Sequence, residues 1–153
     1  MSRTYGLQTA KDLLAKLERD AQLLREEVSS DRFFNFVVTA YSMVDWTRND
    51  PIVPGSAKTA LTKFRDQSEI QICRDLANAS KHFQLNPHLN PNHTVASADS
   101  DQGFGLGRFG VGGFGVGEEE ITVWLSKGNG VNGLNVMEDA LREWKAFFQT
   151  HAI

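Results

Sequence analysis

Cysteine occurs once, at Cys73, so no intramolecular disulfide can form and the chain fits a reducing compartment. No run of about 18 apolar residues is present, which excludes a membrane-spanning helix. The first residues, Met-Ser-Arg-Thr-Tyr-Gly, lack the apolar core of a signal peptide. A large excess of either charge is missing too: 16 basic residues stand against 19 acidic ones, a net −3. That balance speaks against a chain built mainly to neutralise nucleic-acid phosphates. What remains is ordinary globular material, 41% hydrophobic and 23% charged, enough to bury a core and not the makeup of a disordered chain. A length of 153 residues corresponds to one domain, expected over 1–153 of a cytosolic protein.

The apolar residues that are present recur at helical spacing. Leu7, Ala10, Leu14, Leu17, Ala21, Leu24 and Val28 alternate three and four apart, with Leu13 and Leu23 widening the stripe. This predicts an amphipathic helix over 7–28, too short for a free coiled coil and therefore one member of a bundle. A second helix is expected over 32–48, opened by the cap candidates Ser29, Ser30 and Asp31. Its Phe33, Phe34, Phe36, Val37, Tyr41, Val44 and Trp46 surround most of the circumference, which predicts burial on several sides. Pro51 and the pair Pro54-Gly55 break the chain before a short helix over 56–66. Ser68-Glu69-Ile70-Gln71 reads as a capping box, with Ser68 as N-cap, for a helix over 69–83. Ile72, Leu76, Ala79 and Phe83 cluster on one side of that helix, and Arg74, Asn78, Lys81 and His82 on the other. A last helix over 134–149 carries Met137, Leu141, Trp144, Phe147 and Phe148.

Between the last two helices the pattern changes. Residues 93–98 read as a weak strand and 120–126 as a stronger one, so a β-hairpin is expected over 93–126. Its connection, 103–117, reads GFGLGRFGVGGFGVG and holds eight of the thirteen glycines, with Phe104, Phe109 and Phe114 five residues apart. The expected fold is mainly α: a four- or five-helix bundle with an inserted β-hairpin and a Gly/Phe-rich loop before the C-terminal helix.

Few motifs carry chemistry. Two literal GxGxxG matches, at 105–110 and 110–115, lack the strand before and helix after that a dinucleotide site needs, and Glu118, Glu119 and Glu120 follow where phosphate would be repelled. His82, His88 and His93 do not share a helical face, and no second cysteine or HExxH joins them, so no metal and no cofactor is expected. The Phe-Gly loop reads instead as a hairpin loop whose phenylalanines dock on a groove of this chain's own body or of another chain, because exposed phenylalanine is costly unless it meets apolar surface. Along the polar helix face, Arg74, Asn78 and His82 stand one above another at spacings of four. Arg can bind a phosphate, His exchanges a proton near neutral pH, and Asn can fix either of them. The alternative is a solvated face in which Asp75 is a counter-charge and Lys81 and His82 complement the helix dipole.

The run Ile72-Cys-Arg-Asp-Leu-Ala-Asn-Ala-Ser-Lys-His-Phe83 resembles a motif, R-D-x-A-N-A-S-K-H, of uncharacterised bacterial helical proteins. The resemblance extends over about 32–148. More distantly, Arg and His on one helix of a small bundle resemble the HEPN superfamily, many of whose members are dimeric, metal-independent ribonucleases of toxin–antitoxin and phage-defence systems. That resemblance implies Arg74 on the scissile phosphate, His82 on the proton of the 2′-hydroxyl and Asn78 between them. Seven residues separate Arg74 from His82, longer than the usual HEPN interval, and the inserted hairpin is a second departure. RNA is the less favoured partner: from His93 onward eight acidic residues face four basic ones, although 51–92 is mildly basic. The first expectation is a non-catalytic, cytoplasmic interaction module, a homo-oligomer or bound to a protein partner, contacting through Phe104, Phe109, Phe114 and Lys81. The alternative is a HEPN-like ribonuclease using Arg74, Asn78 and His82.

Overall fold

The computed structural model describes residues 4–83, 92–102 and 119–153. Among them the chain is mainly helical, with α1 (Ala10–Glu26), α2 (Ser30–Asn49), α3 (Gly55–Phe64), α4 (Ser68–His82) and α5 (Gly133–Thr150). A small antiparallel sheet, β1 (Val95–Asp101), β2 (Glu120–Leu125) and β3 (Gly130–Asn132), lies between α4 and α5 in the chain. The bundle and the β1–β2 hairpin are those read from the sequence. The third strand is an addition: the turn after Leu125 returns as three residues that pair with β2 and run straight into α5.

Helix α1 starts at Ala10 because Thr9 and Asp12 close a capping box, and a second carboxylate helps. The Asp12 carboxylate accepts from the Thr9 and Gln8 amides, and Asp50, brought from the end of α2, accepts from the Ala10 amide at 2.7 Å. The buried seam of α1 is Ala10, Leu13, Leu17, Ala21 and Leu24; Leu14 is only half-buried and Leu23 is exposed. Helix α2, capped by the Ser29 hydroxyl, packs against α1, α3, α4 and α5 and buries Phe33, Phe36, Val37, Ala40, Met43 and Val44. Phe34 is the exception on this aromatic helix, half exposed to solvent.

Two readings of α4 need correction. Its N-cap is Gln67, with no side-chain cap bond, and Ser68 is the first helical residue; the Gln71 side chain donates to the Arg65 carbonyl at 2.7 Å instead of closing a box. Its buried face is Ile70, Ile72, Cys73, Asp75, Leu76 and Ala77, whereas Phe83 is 91% exposed. The chain leaves the helix at Phe83 with φ +66°, a left-handed backbone that swings this ring out of the face assigned to it.

Strand β2 faces the core with Ile121 and Val123 and leaves Trp124 partly exposed. Gly133 opens α5 where the Cβ of any other residue would lie 3.0 Å from the Ile121 side chain, so a larger residue there would have to push Ile121 aside by a few tenths of an ångström. On α5, Trp144 is fully buried, with the Phe64 ring edge-on at 4.7 Å and Phe147 and Phe148 beyond.

Candidate functional site

Arg74, Asn78, Lys81 and His82 all lie on α4, and the structure separates them by environment. Arg74 and Asn78 are half-buried, while Lys81 and His82 are exposed in the last turn. Eight residues of helix put Arg74 and His82 about 12 Å apart along the axis. The Arg74 guanidinium is turned sideways onto its neighbour: Nε and Nη2 donate to Asp75 Oδ1 at 2.8 and 2.7 Å. Phe104, Phe109, Phe114 and His88 lie outside the described residues.

Asp75 is the residue that sequence reasoning misplaced. It is 1% exposed, not a surface counter-charge. A carboxylate withdrawn from water has to be met by donors. Arg74 supplies two to Oδ1, and the amides of Thr94 and Val95 supply two to Oδ2, at 2.6 and 3.0 Å. The carboxylate therefore pins the start of β1 to α4 across nineteen and twenty residues of chain. His93 completes the cluster, its Nδ1 3.7 Å from Asp75 Oδ1. Both imidazole nitrogens are buried with no hydrogen-bond partner among the described residues. The ring also borders a cavity of about 360 Å³ with Glu69, Lys127 and Asp139. Cys73, one residue from Arg74, offers no nucleophile: burial, and then the charge of Glu69, push its thiol up to about 12, so no thiolate forms near neutrality.

With β1 fixed in this way, a groove of about 630 Å³ opens between the strand, α2 and α4. Its helical wall carries Phe33, Phe34, Val37, Leu76, Ala79 and Phe83. Its other wall is β1 itself, whose consecutive residues 95–100 all line it. A groove lying on one face of a strand meets only alternate residues, so this one runs along the strand's edge. The end near α2 is polar. There Glu119 accepts from the Ser30 amide and hydroxyl, from Ser100 at 3.0 Å and from Gln102 at 3.1 Å. These bonds, chiefly the Ser30 hydroxyl, hold its carboxyl below the usual range. Gln102 and Glu119, so placed, are the described residues that flank the Phe-Gly tract in sequence.

The sequence held a signal for Asp75. At 100° per residue it falls 60° from Ile72, on the apolar side of α4, and a lone carboxylate among apolar positions has to find donors. No comparable signal marked the groove, because it needs β1 brought beside α4 by contacts distant in sequence. Compared with known proteins, the chain matches no family model, no curated protein and no solved structure.

Proposed function

We propose that this protein is a non-catalytic helical interaction module, with the groove between β1, α2 and α4 and the neighbouring Phe-Gly tract as its contact surfaces. The observation that carries this reading is the groove itself: it is bordered by Phe34 and Phe83, 46% and 91% exposed, and two of its lining residues, Ser30 and Ser100, bond to Glu119, which follows the tract in sequence. Large aromatic side chains held in water at the mouth of an apolar channel favour burial against something else. The polar face of α4 supports a structural role in the same scheme, since Arg74 donates twice to the carboxylate that positions the groove's strand wall.

The test removes residues 103–117, joining the hairpin by a short turn, and follows association by analytical ultracentrifugation and pull-down. Association is expected to fall while the helical circular dichroism is kept; unchanged association would overturn the reading. The ribonuclease alternative makes a separate demand, that Arg74 and His82 act on one phosphate. Incubation with structured and single-stranded RNA in EDTA is expected to show no cleavage. Cleavage lost in folded Arg74→Ala and His82→Ala variants would establish the enzyme instead.

A further inference from the structure

Strand β1 is an edge. The sheet order is β1-β2-β3, so among the described residues nothing pairs with β1 on its far side. Which of its amides face outward follows from the ladder. Across the β2–β3 hairpin, Leu125 donates to the Asn129 carbonyl at 2.9 Å. Residues of an antiparallel strand alternate in direction, so Leu125, Val123 and Ile121 address β3 while Trp124, Thr122 and Glu120 address β1. Their partners are Ser97, Asp99 and Asp101, and these spend their backbone groups on β2. Ala98 and Ser100 are left with N–H and C=O pointing away from the sheet, into the groove that they line. Among the described residues, no hydrogen bond outside the β2 ladder reaches the backbone of 96–101.

An unpaired strand edge facing an apolar helical wall is a receptor for an extended peptide. The peptide's main chain adds to the edge, and its alternate side chains enter the wall. The ligand this demands has large apolar residues two apart, small residues between them and no negative charge, because Asp99 and Asp101 stand on the strand. The chain contains that ligand three times. The tract 103–117 reads FGLG, FGVG and FGVG in succession, each with Phe and Leu or Val two residues apart and glycine between, and its one charged residue is Arg108. In an extended segment such residues share one face.

We propose that an FG(L/V)G unit from the tract of a second copy adds as a strand to the free edge of β1, its Phe seated against Phe34, Leu76 and Phe83, so that two copies exchange tracts reciprocally. A second copy is favoured over the same chain by the path of the hairpin. A unit paired with its own β1 would have to reverse directly after Asp101 and then return past β1 to Glu120, on the strand's opposite side. A unit from another copy meets no such constraint, and a reciprocal exchange closes as a two-fold dimer. This inference rests on the interaction-module reading and deepens it by naming the receptor, the ligand and the mode.

The test uses the full chain. Ala98→Pro removes one outward amide while leaving the β2 ladder its bonds, since proline is tolerated at strand edges. Phe34→Ala shortens the helical wall without touching the sheet. Sedimentation of the wild type is expected to show a concentration-dependent dimer, dissociated by excess synthetic peptide of residues 103–110. Each variant should weaken the dimer about ten- to a hundredfold, the loss of one or two good contacts. A dimer that survives in Phe34→Ala, and in a folded Ala98→Pro, at wild-type strength overturns the proposal. If the deletion of 103–117 abolishes association and these two variants do not, the tract is a contact surface but the groove is not its receptor. A monomer at every concentration overturns the exchange between copies, whether or not the amides of Ala98 and Ser100 are protected from hydrogen exchange; protection would mark docking within one chain.

Discussion

Asp75 concentrates more of the structure in one side chain than any other charged residue described. Its burial is tolerable because each oxygen accepts two hydrogen bonds, and those bonds tie a helix to a strand that nothing local would bring together. Asp75→Asn keeps the shape but places an NH₂ group against donors, so one side of the cluster is left facing like with like. Breaking a buried charged network of this kind costs about 3–5 kcal/mol. We expect Asp75→Asn to lower the midpoint of urea unfolding by a corresponding amount, and to raise hydrogen exchange at Thr94 and Val95 before the rest of the sheet. A change below about 1 kcal/mol would show that the Arg74–Asp75 pair is dispensable to the fold. The sequence made Asp75 visible as an oddity on an apolar face. It could not show the Thr94 and Val95 amides, because their approach is a tertiary event. The Arg74, Asn78 and His82 stripe was legible as a stripe, and Asp75 as its counter-charge, but the burial of that carboxylate was not.

At the scale of elements, the helices were legible because their apolar residues recur with a fixed period, and the inaccuracies fall at their ends. Helix α1 begins after a Thr9–Asp12 box that the pattern of leucines alone did not reveal, and its seam passes through Leu13 where heptad counting preferred Leu14. Strand β3 has three residues, too few to carry a period, and exists because β2 offers it an edge. The end of α4 is the most informative misfit. Periodicity continued the apolar face to Phe83, but the left-handed backbone there sends the ring into solvent. A non-glycine residue in that conformation costs about 1 kcal/mol or more relative to glycine. Phe83→Gly is therefore expected to stabilise the isolated chain by about 1 kcal/mol in chemical unfolding. The same change removes an aromatic from the groove and should weaken association. A variant both more stable and less associated would mean that Phe83 is kept for contact. Loss of stability would place the ring in the fold's own packing.

For the molecule as a whole, two kinds of contact hold the last helix in the bundle, and their magnitudes differ. On the surface, Arg25 Nε and Nη2 reach the Glu138 carboxylate at 2.5 and 2.7 Å, and Lys145 reaches Glu18 at 3.1 Å. These side chains are 39–55% exposed, so solvent screens them and each pair is worth about 0–1 kcal/mol. The hydrogen bond from Arg25 holds the Glu138 carboxyl below its usual range, so that small contribution is present near neutral pH and is lost as the pH falls through the carboxylate range. In the interior, Trp144 is 0% exposed among Phe64, Phe147 and Phe148, and truncating such a ring leaves a cavity that costs about 3–5 kcal/mol. Glu138→Gln should therefore shift the unfolding midpoint little, with the shift vanishing in high salt, whereas Trp144→Ala should take away a large share of the total stability. Trp144→Phe should cost much less than Trp144→Ala. It keeps most of the packed area and removes an indole N–H that is buried without a partner among the described residues. If both Trp144 variants lost the same amount, the indole N–H would be taking part in a bond that its surroundings do not show. If Glu138→Gln equalled Trp144→Ala, the bundle would be held by its surface charges, contrary to the burial of its core.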